Sequence, residues 1–571
     1  MKPYLLEKAE ILAFNFCFFL TFNFCLFAFS QSALALPVSS QKIMISSGSK
    51  FANDLGLKVY DRGGNIADIA IAVELGLAIS TPYNASIGGG GFAVFKIGEA
   101  IGSIDFREVA PSKTHPSFFV ESKKSSKTGG AAIAVPGIVD GLWKLHRRFG
   151  KLGWREIWSL AADEAERGFA VTTEWYEATQ GAFNELDSAT KKFVLGLNEI
   201  SSKDPSLLSK PGTVIKQRDF SKTLRLISKK GRDGFYSGSI ADDLVTSVEK
   251  AGGVITREDL KNYESRWLKP IMFSYHGHDI YSMPLPSSGG IVMAIAFGVL
   301  QKVLASEAPM ALSAREFHLI AETLKQGFQF RPSLGDKEEL NNISDLLKEK
   351  SLNKMAQRIR KNSASKVEPN FNWTPTPESK ETTHFSIIDS QGNTIAMTVT
   401  LNGRFGSGVT TAKSGIVLNN EMDDFTTIPN EPNMFGLIQG QRNEVSPGRR
   451  PLSSMTPTIV LKDNRPVLAV GASGGPRIIS ATFQTIYRYL FRKTNVDTAI
   501  QSIRVHHQIL PNMLYIDADR TPHELLEALK SKGHNVEPSW TANVKAVGYD
   551  SETKVLTGAF DSRGEGAASG R

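Results

Sequence analysis

The chemistry in this chain is concentrated where a polar, proline-bearing stretch gives way to a strand. Glu381-Thr382-Thr383-His384-Phe385-Ser386-Ile387-Ile388-Asp389 follows residues 361–380, which hold Pro369, Pro375 and Pro377 among Ser, Asn, Thr and charged residues. Proline fixes φ and removes a donor, so that stretch supports neither a long helix nor a central strand and reads as a flexible linker. Beyond it Phe385 and Ile387 alternate with Ser386, and after Ser390-Gln391-Gly392 a second β-rich run covers 394–401. The two runs predict a hairpin. With Gly392 in the left-handed position of a three-residue loop, Asp389 faces Asn393 and Thr382 falls opposite Thr400. A threonine hydroxyl is a weak nucleophile near neutrality unless a base is adjacent. An N-terminal threonine carries one in its own α-amino group, of pKa about 7.7–8.0. Cleavage between Glu381 and Thr382 creates that amine, so the segment reads as a place where a precursor cuts itself. An isolated Thr-Thr pair is ordinary β-propensity; the rest of the chain sets this one apart.

Further motifs lie in order after the first 35 residues. They are the glycines 88–91 before Phe92, Asp105-Phe106-Arg107-Glu108 with Ala110-Pro111, Pro286-Ser287-Ser288-Gly289-Gly290, and Leu418-Asn419-Asn420-Glu421-Met422-Asp423-Asp424-Phe425. Three more are Arg450-Pro451-Leu452-Ser453-Ser454-Met455-Thr456-Pro457, Gly471-Ala472-Ser473-Gly474-Gly475 and Asp561-Ser562-Arg563-Gly564-Glu565-Gly566. In this order and spacing they resemble a γ-glutamyltranspeptidase (glutathione hydrolase), a family of the N-terminal nucleophile hydrolases. The resemblance implies an α+β fold, the four-layer αββα sandwich, assembled from two fragments of one precursor. The large fragment would cover 36–381, ending in the linker 361–381, and the small catalytic one 382–571, the two forming a heterodimer.

The implied substrate is glutathione or another γ-glutamyl donor, with water or an amino acid or peptide as acceptor, and no cofactor or metal. Such a donor offers an α-carboxylate and an α-ammonium, so its pocket must complement both signs. Arg107 matches the family's carboxylate-binding arginine, a planar fork suited to a bidentate pair, with Ser453 and Ser454 as hydroxyl partners. Asn402, Glu421 and Asp424 match the ammonium's receivers. Gly474 and Gly475 match the oxyanion-hole glycines, and Thr400 the second threonine beside the nucleophile. Residues 429–450 resemble the lid over the pocket. Two positions depart from common family choices: Glu421 stands where some members carry glutamine, and Phe435 stands where a tyrosine often donates its hydroxyl to the residue equivalent to Asn402.

The elements that must position these groups are mixed. Helical patterns cover 67–77, 139–149, 154–168, 239–251, 314–328, 478–492 and 522–532; strand patterns cover 92–97, 278–282, the hairpin, 458–461 and 467–471. No internal repeat is evident. Residues 1–35 read as a secretory signal, with an apolar run over 11–29 and Ala33-Leu34-Ala35 as a small-residue cleavage signature, or as an uncleaved membrane anchor. Both cysteines, Cys17 and Cys25, fall inside it, so the exported enzyme would hold no disulfide, a pattern that suits a bacterial periplasm. The net charge of +8 is dispersed rather than blocked, which speaks against nucleic-acid binding, and 41% hydrophobic residues suit a sizeable core.

Other readings compete. The same scaffold is implied for acylases of β-lactam side chains and for enzymes acting on poly-γ-glutamate. From the residues alone, 471–475 also fits the G-x-S-x-G elbow of an esterase, with Ser473 as nucleophile and Asp497 and His506 following in order. The glycines 88–91 lack the Gly-Lys-Ser/Thr of a phosphate loop and read as sites of close backbone packing. Adjacent His506 and His507 lack zincin spacing and read as packed or hydrogen-bonded.

Overall fold

The computed structural model describes residues 37–195, 208–305, 308–336, 340–367 and 381–571. The expected leader at 1–35, with its two cysteines, and positions 368–380 of the linker lie outside the described residues.

Two seven-stranded antiparallel sheets form the centre. The first runs, in spatial order, Ala567–Gly570, Ile43–Ser47, Thr383–Asp389, Thr394–Thr400, Gly90–Ile97, Ala100–Asp105 and Arg266–Leu268. The second runs Val38–Ser40, Leu556–Phe560, Asn543–Tyr549, Arg465–Ser473, Thr458–Lys462, His278–Ser282 and Ile271–Tyr275. Side chains alternate across a strand, and the hairpin uses both faces. Phe385, Ile387, Met397 and Val399 pack with the helices Lys50–Asp61, Ile66–Ser80, Ile138–Phe149 and Trp154–Arg167. Ile388 and Ala396 share the other cluster with Leu468, Val470 and Val544 of the second sheet. That sheet is backed in turn by Gly289–Leu304, Ala314–Phe328 and Arg477–Leu490. The result is helix, sheet, sheet, helix, the layer order the resemblance implies.

Ile66–Ser80 is buried along its whole length, as a helix apolar on every side must be, and starts on a capping box between Asn65 and Asp68. Between the sheets the polar members of the hairpin satisfy one another: His384 Nδ1 lies 2.8 Å from Thr398 Oγ1 and its Nε2 2.9 Å from Ser386 Oγ. Burial holds His384 well below its ordinary pKa, so it is a neutral packing group. Gly471 makes room for it, since a Cβ there would stand 2.4 Å from the imidazole.

Candidate active site

The hairpin fixes the two hydroxyls. Thr383 pairs with Val399 and Ile388 with Thr394; Asp389 N–H donates to the Asn393 carbonyl at 3.0 Å, and Gly392 takes φ +87°. This is the register expected from the sequence, and it sets Thr382 Oγ1 2.9 Å from Thr400 Oγ1. Thr400 Oγ1 also accepts the Asn402 N–H at 2.9 Å, which leaves its own proton and a lone pair for Thr382.

The backbone at Thr382 is strained. Thr382 is β-branched yet sits at φ +87°, a conformation that costs on the order of 1–3 kcal/mol and persists only where its surroundings impose it. Glu381 is buried, its Oε1 2.6 Å from Arg404 Nε, and burial pushes its carboxyl up to about 7 against the pull of that guanidinium.

Beside the hydroxyl pair lies a charged floor. Arg107, 1% exposed, donates through Nη2 to Asp424 Oδ2 at 2.5 Å, pairs through Nη1 with Glu421, and has Glu108 at 3.8 Å. Its Nε donates to the Pro451 carbonyl at 3.2 Å. Burial disfavours the cation, but the three carboxylates outweigh that and raise the Arg107 pKa. A second buried arginine, Arg331, donates to Ser454 Oγ at 3.3 Å and to Gln439 Oε1 at 2.9 Å. Burial holds Glu108 up at about 7 and Glu421 well above its ordinary value, so of the three acids facing two arginines at least one keeps its proton until a further cation arrives to pair with it. The structure therefore brings Thr382, Thr400, Arg107, Asn402, Glu421, Asp424, Phe435, Ser453, Ser454 and Gly475 around one small cavity. Its volume is about 20 Å³, room for one water. The expected fork of Arg107 is occupied by the protein's own carboxylates, so a donor must open these pairs as it enters.

The segment expected to form a lid packs against the cavity. Asn433 donates to Asp424 Oδ1 at 3.0 Å and accepts the N–H groups of Phe435 and Leu437, while Gln439 and Asn443 donate to the Asp424 carbonyl at 2.7 and 2.6 Å. Phe435 covers the site by contact, its ring 2.7 Å from where a Cβ on Gly475 would stand. Asn402 finds other partners than a tyrosine: its Nδ2 donates to the Asn420 carbonyl at 3.1 Å and lies 3.6 Å from Met434 Sδ.

Gly474 and Gly475 end the strand Arg465–Ser473 at φ +124° and +53°, just ahead of the helix Arg477–Leu490. A Cβ on Gly474 would meet the Trp540 ring at 2.6 Å, so both positions demand glycine in conformation and in space. The glycines 88–91 pack the backbone as expected: a Cβ on Gly89 would stand 2.1 Å from the Thr400 carbonyl, and one on Gly90 2.3 Å from Glu108 Oε2.

The esterase reading fails on geometry. His506 is bonded to Ser480 Oγ at 2.6 Å and Gln508 Oε1 at 2.9 Å, and Asp497 to Gln501 at 3.2 Å, so neither serves Ser473. His507 Nδ1 accepts the Ile509 N–H. Among the described residues His318, Glu322 and His534 cluster tightly, but the imidazoles are bonded to each other at 2.8 Å and Lys325 Nζ holds Glu322 at 2.8 Å.

Compared with known proteins, residues 52–571 match the family described as Gamma-glutamyltranspeptidase. The chain belongs to this family. It is 35% identical over 550 residues to a "Glutathione hydrolase proenzyme" of Pseudomonas aeruginosa, covering 94% of this chain and 96% of that one, and 35% identical to one from Escherichia coli, covering 92% and 91%. Among solved structures it is similar to the γ-glutamyltranspeptidase of Pseudomonas nitroreducens complexed with L-DON (31% identity, TM-score 0.51, 56% of this chain and 94% of that one). A cephalosporin acylase from Bacillus halodurans shares the fold at 21% identity and TM-score 0.81, covering 95% and 98%.

Sequence reasoning missed Arg331, the Glu381–Arg404 pair and the lid's hub at Asn433. Arg331 follows the helix Ala314–Phe328 in a short 3-10 turn, where no periodicity marks it. Glu108 was in view, inside the Asp105-Phe106-Arg107-Glu108 motif.

Proposed function

We propose that this γ-glutamyltranspeptidase-family chain is a precursor that cleaves itself between Glu381 and Thr382, and that the resulting enzyme hydrolyses or transfers γ-glutamyl groups of glutathione and related compounds. The observation that carries the reading is the strained Thr382 with its hydroxyl 2.9 Å from Thr400, at the edge of a buried pocket of both charges. In processing, Thr382 Oγ attacks the Glu381 carbonyl, the C–N bond breaks, and the acyl group passes to oxygen. Water then opens the ester, leaving a Glu381 carboxylate and a Thr382 amine, and cutting the bond releases the φ strain.

In the processed enzyme that amine takes the hydroxyl proton as Oγ attacks the donor's γ-carbonyl, and the Gly474 and Gly475 amides stabilise the oxyanion. Arg107, Ser453 and Ser454 receive the α-carboxylate; Asn402, Glu421 and Asp424 receive the α-ammonium. The leaving amine carries off the proton, and a γ-glutamyl ester stays on Thr382 until water or an acceptor amine takes the acyl group. The fragments 36–381 and 382–571 remain one heterodimer, exported behind the leader at 1–35. An acylase for apolar side chains fits less well, because the pocket is built from ions.

Intact mass and N-terminal sequencing of the purified protein, beside Thr382→Ala, test the proposal. Two fragments, the smaller beginning at Thr382 and absent from the variant, are expected. A single chain with γ-glutamyl activity overturns it.

A further inference from the structure

Thr382 borders two cavities. One is the 20 Å³ pocket of Arg107; the other, about 280 Å³, is lined by Glu174, Glu177, Arg404, Trp540, Lys545 and Glu565 among others, and Thr382 is the one residue the two linings share. An acyl group on Thr382 whose glutamyl chain fills the first cavity must therefore present its leaving amine, and later meet its acceptor, in the second.

The charges of this second cavity are unequal in their commitments. Glu565 accepts from Thr172 Oγ1 at 2.8 Å and from the Glu174 N–H at 3.1 Å, and Glu174 accepts the Glu565 N–H at 2.7 Å. Arg404 is taken by Glu381, and Arg563 by Asp517 and Asp561. Lys545 differs. It stands on the strand beside Arg465–Ser473, opposite Gly471 in register, is 2% exposed, and its ammonium makes no hydrogen bond or ion pair with a described residue. Burial pulls its pKa down to about 8 despite the nearby carboxylates of Glu174, Asp561 and Glu565, the mark of a desolvated cation that lacks a contact partner. A buried ammonium left in this state is costly unless something arrives to pair with it.

We infer that Lys545 is the anchor for the carboxylate of the leaving amine and of the acceptor, so that the second cavity selects amino acids and peptides with a free C-terminal carboxylate over neutral amines. This rests on the γ-glutamyl reading and specifies its other half. Glu177, the remaining acid of this lining, lies exposed to solvent rather than buried beside Lys545.

The test compares glutathione with its glycine amide as donors, following glutamate release by the processed protein, with γ-glutamyl-p-nitroanilide as a donor that has no carboxylate on its leaving group. A charge-assisted contact predicts kcat/KM about tenfold or more higher for glutathione than for its amide. In Lys545→Gln that ratio falls towards one, and in Lys545→Arg it is largely kept, which a merely structural lysine would not produce. A wild-type ratio near one, or a ratio unmoved in Lys545→Gln, overturns the inference while anilide cleavage still upholds the γ-glutamyl reading. Should the glutamine variant fail to process, the wild-type ratio is followed with pH: it falls towards one as Lys545 loses its proton above about 8, and a ratio constant through that range overturns the inference. Cleavage of none of the three donors overturns both.

Discussion

Thr382 acts as proposed only when its amine is neutral, so kcat/KM for γ-glutamyl-p-nitroanilide, whose leaving group has no carboxylate for Lys545, should climb with pH through an ionisation near about 7.7–8.0; a profile flat across that range for this donor removes the amine from the mechanism. Its neighbour has a separable part. Thr400→Val keeps the shape and deletes the hydroxyl at 2.9 Å, and loss of a buried hydrogen bond of this kind should slow the appearance of the two fragments by roughly tenfold. The acids around Arg107 give a stability signature. Burial holds Glu108 up at about 7 from an ordinary 4.5, and Glu421 well above its ordinary value, against the pull of Arg107. The folded chain therefore keeps protons that the unfolded chain loses, so this share of the stability is full below about pH 4.5 and is lost as pH climbs through 7. An ammonium placed among the ionised acids offsets the loss. Free glutamate should accordingly raise Tm more at about pH 8 than at about pH 5.5, measured by thermal shift, and equal shifts would sink the assignment of these acids to the ammonium.

At the scale of elements, the lid is the part most exposed to test. Asn433 bonds Asp424 on one side and the N–H groups of Phe435 and Leu437 on the other, so one side chain ties the loop's fold to the pocket floor. Asn433→Ala should raise the donor KM by about tenfold with a smaller change in kcat, since it removes closure rather than the nucleophile; an unchanged KM argues that the lid does not limit binding. Much of this layer was legible beforehand. The helix at 314–328 and the strand at 278–282 have the bounds expected from periodicity, and the hairpin has its expected register because Gly392 and the alternation of Phe385 and Ile387 act together. Less was legible where the pattern is weak. The helix Gly289–Leu304 begins on two glycines and is apolar on most sides, so it carries little 3.6-residue contrast. The strand Ala567–Gly570 is Ala-Ala-Ser-Gly, and only pairing to the distant Ile43–Ser47 makes a strand of it; Leu556–Phe560 sets Thr, Gly and Ala between its apolar ends and shows no alternation. The motifs whose residues gather at the cavity were visible in the sequence, but the ion pairs that close Arg107 were not, because they join positions 107, 421 and 424 through the folded core.

The whole molecule explains why a cut chain need not come apart. The proposed break at 381–382 separates strands that stay interleaved: in the first sheet the hairpin of the small fragment lies between Ile43–Ser47 and Gly90–Ile97 of the large one. Ile43–Ser47 in turn sits between that hairpin and Ala567–Gly570. The second sheet repeats the exchange at both ends, Val38–Ser40 adding to Leu556–Phe560 and His278–Ser282 to Thr458–Lys462. Neither fragment holds a complete seven-stranded sheet, and each alone would expose strand edges and the apolar layer between the two. Processed protein should therefore elute as a single species near the mass of the uncut chain, run as two bands only after denaturation, and lose both fragments' structure in one cooperative urea transition. Fragments that separate in native buffer, or two resolved transitions, would mean that the sheets are rebuilt after cleavage and that Arg107, on the large fragment, does not share a permanent site with Thr382.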